Sequence, residues 1–201
     1  FLTTKVWNTE QGYDKTLASF EQSLKNLETD YIDLYLIHWP VKSKYKDTYR
    51  AMEKLYAEGK VKAIGVCNFS QAQLEDLMQH SQIVPALNQV EMHPHLHQES
   101  LLQFAKKHQI QLEAWRPIMM GEVLKIPELV EIGRSHSKTA VQVTLRWLIQ
   151  RGVSVIPKSV SPNRIAENYQ VFDFELNPNQ MQLIASLNQN RRLGEDLSHI
   201  E

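Results

Sequence analysis

The sequence predicts an α/β protein of the (β/α)8 (TIM) barrel class, short of about its first two βα units. Strand-like and helix-like segments alternate about six times with no low-complexity linker, which implies a parallel sheet covered by helices, in one domain over residues 1–201. Lys5, His38, Asn68, Gln89 with Glu91, Trp115 and Lys158 stand at or near the C-terminal ends of different strands, and a barrel draws its site from many strands on that face. An open doubly wound sheet would concentrate its ligand contacts at one switch point, and no Gly-x-Gly-x-x-Gly lies near any strand end. Eight strands close a barrel in typically ~250 residues, and this chain supplies about six. Two units of ~30 residues each, ahead of a chain that opens inside a strand, would make up the difference.

The elements follow in order. Residues 1–7 are β-rich, and residues 11–28 place Leu17, Phe20, Leu24 and Leu27 at helical spacing. Residues 32–39 read as a buried strand, with Leu34, Leu36 and His38 on one face and Tyr35 on the other. A short helix over 48–58 is closed by Gly59, and the third strand, 61–69, precedes Ser70, able to cap a helix through 78. The fourth strand, 86–91, leads to a helix at 98–107. The fifth, 110–115, leads to an irregular stretch and helices at 127–135 and 139–150. A sixth strand, 153–156, precedes helices at 162–169 and 178–188.

Bulk properties exclude several classes. With 42% hydrophobic residues the chain can bury one sizeable core, and 22 basic against 23 acidic residues leave none of the basic field that nucleic-acid binding requires. The single cysteine, Cys67, rules out a disulfide framework and predicts a reducing, cytoplasmic setting. No apolar run approaches the ~18 residues of a membrane span, and the opening residues lack the regions of a signal peptide. A small-molecule partner and a monomeric protein are expected.

The most informative stretch is Ile156-Pro157-Lys158-Ser159, followed by Arg164 and Glu167-Asn168. A short buried strand here ends in a lysine and a serine, against a helix that Ser161 can cap and Pro162 can start. Helix N–H groups, the positive end of its dipole, a point-charge ammonium and the planar fork of Arg164 converge on one place, which describes a phosphate site. Elsewhere, His38 at a strand mouth can donate to a carbonyl oxygen, and the amides Asn68 and Gln89 suit another amide. Trp115 is either core filler or a flat platform for a ring.

Lys62-Ala63-Ile64-Gly65-Val66-Cys67-Asn68-Phe69 and Ile156-Pro157-Lys158-Ser159 with Arg164 and Glu167-Asn168 resemble two signatures of the aldo-keto reductases. Thr3-Thr4-Lys5-Val6-Trp7-Asn8, Ile37-His38-Trp39-Pro40, Asn88-Gln89-Val90-Glu91 and Glu113-Ala114-Trp115 fit the same family in the same order. The resemblance implies NADPH-dependent reduction of aldehydes and ketones, with NADP+ as the oxidised product. It assigns Lys158, Ser159 and Arg164 to the 2′-phosphate, Glu167 and Asn168 to the adenine, Asn68 and Gln89 to the carboxamide, and Trp115 to the nicotinamide ring. It makes His38 the residue that orients the carbonyl, with Trp7 and Trp39 lining the pocket. Lys5 would lower the pKa of a catalytic tyrosine. That tyrosine and its aspartate partner belong, in the family, to the segment before Lys5, and Phe1-Leu2-Thr3-Thr4 contains neither. Arg116 stands where many relatives have serine, and a cation there either adds a pyrophosphate contact or crowds the cofactor; Cys67 also replaces a common serine. The short connection from Val41 to Asp47 predicts an open pocket mouth and a broad substrate range.

Two rival readings stay open. His93, His95 and His97 stand at alternate positions and offer three imidazoles for the zinc site of a barrel hydrolase, although no metal is expected because no matching carboxylate ends a later strand. A nucleotide-binding barrel without turnover would retain the same signatures.

Overall fold

A computed structural model describes residues 1–195. The chain divides into two compact units, Phe1–Gln89 with Leu101–Gln111, and Val90–Ser100 with Leu112–Glu195.

In the first unit β1 (Thr3–Val6), β2 (Ile32–Ile37), β3 (Val61–Cys67) and β4 (Leu87–Glu91) pair parallel in sequence order. Lys5 is in register with Leu36, Leu36 with Gly65, and Cys67 with Gln89. Parallel neighbours require crossovers, here α1 (Tyr13–Leu27), α2 (Tyr45–Ala57) and α3 (Gln71–His80), with α4 (Glu99–Lys107) following β4. Every residue of β2 is buried because both of its faces are covered. Leu34 and Leu36 pack with Cys67, Leu87 and Ala63, while Tyr35 turns the other way and meets Phe20 of α1 edge-on at 5.4 Å. Gly65 has a packing reason, since a Cβ there would lie 2.5 Å from the Leu87 carbonyl oxygen and 2.9 Å from Leu36 Cδ2. Ser70 and Gln73 form the capping box of α3, as the pattern predicts. Helix α2 starts at Tyr45 rather than 48, because Tyr45 packs edge-on against Phe69 and carries the first turn into the core.

In the second unit β5 (Gln111–Trp115) pairs parallel with β6 (Ser154–Val155), Glu113 opposite Ser154. A 3-10 segment over Met119–Lys125 organises the stretch expected to be irregular. It precedes α5 (Pro127–His136), α6 (Ala140–Gln150), α7 (Pro162–Tyr169) and α8 (Pro178–Ala185). The sixth strand is shorter than expected: Ile156 N–H still reaches the Ala114 carbonyl, but Pro157 has no N–H to continue the ladder. Pro162 opens α7 as predicted. Ser161 does not cap it through its side chain; its backbone N–H donates instead to Ser159 Oγ at 3.2 Å. Among the described residues no helix is long and apolar enough to cross a membrane.

Candidate active site

The first unit brings six of the expected residues into one bonded set. Strand β1 carries Lys5, whose Nζ donates to Gln89 Oε1, so this partly buried ammonium has a polar partner. Asn68 follows β3 with a φ of 64°, the left-handed region that asparagine tolerates better than most residues. Its N–H donates to the Gln89 carbonyl at 2.9 Å and its Nδ2 to the His38 carbonyl at 3.0 Å. Around His38, the Trp7 ring stands edge-on at 4.7 Å and the Trp39 ring lies nearly parallel at 6.4 Å. Burial, then the nearby charge of Lys5, pushes the His38 pKa down to about 4. At neutral pH the imidazole is therefore uncharged and carries one N–H to donate.

The second unit gathers the other expected residues. A cleft of about 540 Å³ is lined by Arg116, Lys158, Ser159, Arg164, Glu167 and Asn168. Met120, Leu124 and Ile156 supply its apolar wall. Lys158 and Arg164 are exposed, and among the described residues neither forms an ion pair. Glu167 Oε1 accepts from the Thr139 hydroxyl at 2.7 Å, and Gln142 Nε2 donates to the Glu167 carbonyl at 3.2 Å, which ties α7 to the start of α6. Trp115 ends β5 half-buried, with the Arg116 guanidinium 5.3 Å over its ring. Arg116, Met119 and Met120 all have φ between 52° and 54°, so the chain curls sharply as it leaves the strand.

Two of the three alternate histidines have separate ring partners. His93 Nε2 lies 3.1 Å from Glu91 Oε1, His97 Nε2 lies 2.8 Å from the Pro94 carbonyl, and the His97 ring tilts onto Trp147 at 4.7 Å. Among the described residues no group of three or more histidine, cysteine or carboxylate side chains could hold a metal ion.

The model of the Aldo/keto reductase family matches residues 1–189. The chain belongs to this family. It is 53% identical to glyoxal reductase of Bacillus subtilis (strain 168), an alignment covering 96% of this chain and 70% of that protein. It superposes with a TM-score of 0.97 on an aldo-keto reductase enzyme from a Medee basin deep-sea metagenome library, at 47% identity over 100% of this chain and 76% of that one. A mutant of Gox0644 solved in complex with NADPH gives a TM-score of 0.94 at 46% identity, over 98% of this chain and 73% of that one. The α/β architecture, with six strands among the described residues, is that of the aldo/keto reductases. The family match starts at residue 1 and lends no support to the expectation that two units are absent from the front.

The supporting roles of four residues of this aldo/keto reductase chain escaped the sequence reading, which placed Glu91 at a strand end and Asn88 in a family motif without giving either a function. Buried Asn88 clasps Phe69, accepting its N–H on Oδ1 and donating Nδ2 to its carbonyl at 2.9 Å, which fixes the turn that carries Asn68. Buried Gln11 donates to the Trp39 carbonyl at 2.7 Å. Thr139 holds Glu167, and Glu91 binds a distant stretch of chain. An amide or carboxylate inside an apolar strand was the available signal for Asn88 and Glu91, because such a group needs internal partners. Nothing local marked Gln11 or Thr139.

Proposed function

We propose that this chain serves the NADPH-dependent reduction of aldehydes and ketones to alcohols, with small dicarbonyls of the glyoxal type as substrates. The observation that carries the proposal is the cleft that collects Lys158, Ser159, Arg164, Glu167 and Asn168 with Arg116. Its donor set fits a phosphorylated nucleotide: two cations that form no ion pair among the described residues, a hydroxyl and a helix N-terminus face an open space with an apolar wall. Lys158, Ser159 and Arg164 would hold the 2′-phosphate, Glu167 and Asn168 the adenine, and Arg116 the pyrophosphate. Trp115 would be the platform for the nicotinamide, and Asn68 and Gln89 would hold its carboxamide. NADPH, when bound, supplies the hydride. Neutral His38 would donate its N–H to the substrate carbonyl oxygen between the walls formed by Trp7 and Trp39. Lys5 would stabilise the phenolate of a proton-donating tyrosine, which the resemblance, like the paired aspartate, places ahead of Lys5.

In this proposal the strands are those of a (β/α)8 barrel, and the protein is a cytoplasmic monomer, in keeping with a single, buried cysteine, Cys67. A second reading, nucleotide binding without turnover, is favoured by the tyrosines: Tyr45 donates to Asp76 and Tyr35 packs against Phe20, so neither serves His38.

Binding titrations with NADPH and NADH test the phosphate assignment. Arg164→Ala is expected to weaken NADPH about 10- to 100-fold, the loss of a charged hydrogen bond worth roughly 1.5–3 kcal/mol, and to leave NADH nearly unchanged. Equal weakening of both nucleotides would refute the assignment. Glyoxal-dependent oxidation of NADPH separates the two readings, since binding alone produces none.

A further inference from the structure

Residues 188–194 run as a strap over the loop that follows β4. The Gln189 and Arg191 N–H groups both donate to the His95 carbonyl, at 3.1 and 3.0 Å, and His97 N–H donates to Asn188 Oδ1 at 3.2 Å. The strap ends on Glu91, a carboxylate with no exposed side-chain surface. Glu91 Oε1 accepts Leu193 N–H at 2.7 Å and Gly194 N–H at 3.1 Å; Oε2 also accepts Gly194 N–H at 3.2 Å and has the Arg192 guanidinium at 3.9 Å. His93 Nε2 completes the set at 3.1 Å. A buried carboxylate is costly unless its oxygens are occupied, and here the donors are chiefly backbone groups of the strap. Burial raises its pKa, and the His93, Leu193 and Gly194 donors together outweigh that and lower it, so the anion persists. Beneath the strap lies Trp115: a Cβ on Gly194 would come 2.4 Å from Trp115 Cη2 and 3.1 Å from Cζ3. Only a glycine leaves the backbone room to sit this close to both the ring and Glu91.

We infer that Glu91 is a positioning residue: through residues 192–194 it presses the strap onto the edge of Trp115 and fixes the plane of the ring on which the nicotinamide would rest. The cofactor never touches Glu91. The inference rests on the proposed role of Trp115, and the test separates the two. Two ligands are titrated, NADPH and 2′,5′-ADP, which carries the adenine and 2′-phosphate but no nicotinamide. Gly194→Ala, which drives a methyl group into the ring, is expected to raise the Kd for NADPH at least fivefold and to leave that for 2′,5′-ADP within twofold. Glu91→Gln is expected to act in the same direction and to speed tryptic cleavage after Arg192. Equal weakening of both ligands in Gly194→Ala would mean general damage and overturn the inference, as would unchanged NADPH affinity. Should Glu91→Gln not fold, Gly194→Ala alone decides. Wild-type protein that binds neither ligand refutes the cofactor reading instead. The strap is then judged by tryptophan emission, and an unshifted spectrum in Gly194→Ala overturns it.

Discussion

In the first unit Lys5 is already bonded to Gln89 and His38 stands beside two tryptophan rings, whereas in the second Lys158 and Arg164 are exposed and, among the described residues, form no ion pair. The contrast matches what the proposed function would ask of each set of groups. A group that manages a proton needs a defined protonation state, and burial beside a like charge is what makes His38 neutral. Groups that receive a polyanion gain from staying hydrated and unpaired until it arrives, because a prior ion pair would have to be broken first. Under the proposed function, one unit would therefore carry tuned chemistry and the other charge held in readiness.

The sharpest way to break this comparison is to remove one group from each side. Lys5→Met should lower glyoxal-dependent NADPH oxidation by at least about 100-fold, the scale of proton-transfer assistance, while NADPH affinity changes little. If it weakened NADPH as much as Arg164→Ala does, the division of labour would fail. Next come the glycines. Gly65→Ala, which forces a Cβ onto the Leu87 carbonyl and Leu36, should cost about 1–3 kcal/mol in chemical denaturation. Gly121→Ala has open space around it but a φ of 96°, so it should cost only about 1 kcal/mol, through backbone strain alone. Equal costs would show that the interior of the first unit is looser than its contacts indicate.

Acid stability gives a smaller and shared effect. Burial holds both His38 and His97 down to about 4, with Lys5 and Arg151 respectively adding to the shift. The unfolded chain takes up those protons near 6.5, so between pH 6.5 and 4 it binds more protons than the folded chain. The stabilising difference is intact above 6.5 and is lost progressively as pH falls towards 4. Replacing either histidine by alanine should flatten that part of the stability–pH curve, and NMR titration should show both imidazoles still neutral at pH 5.5. The mildest comparison is between two caps. Ser70→Ala and Thr139→Ala should each cost about 1 kcal/mol, but only Thr139→Ala, which also frees Glu167, should weaken NADPH as well.

Much of the architecture was legible because periodicity and capping are local. The two faces of β2, the Ser70 cap and the glycine that closes α2 all followed from spacing within about ten residues. Errors fell where a distant contact decided the outcome. Tyr45 joined α2 because Phe69 lay there to receive it, and Ser161 lost its capping role as its N–H turned to Ser159. The candidate site shows the same division. Lys158, Ser159, Arg164, Glu167 and Asn168 occupy a short span of sequence and could be read as one site; Asn88, Gln11 and Glu91 act through bonds that join remote parts of the chain.

The sequence by itself determined which residue types end each strand, the order of strands and helices, and the presence of the family's signatures, since these depend on neighbours along the chain. Tertiary structure alone decided that Lys5 bonds to Gln89 across 84 positions, that His38 is neutral, and that Glu91 holds Gly194 across 103. Protonation states and ring positions depend on which groups share a dry environment, and only folding assembles that environment.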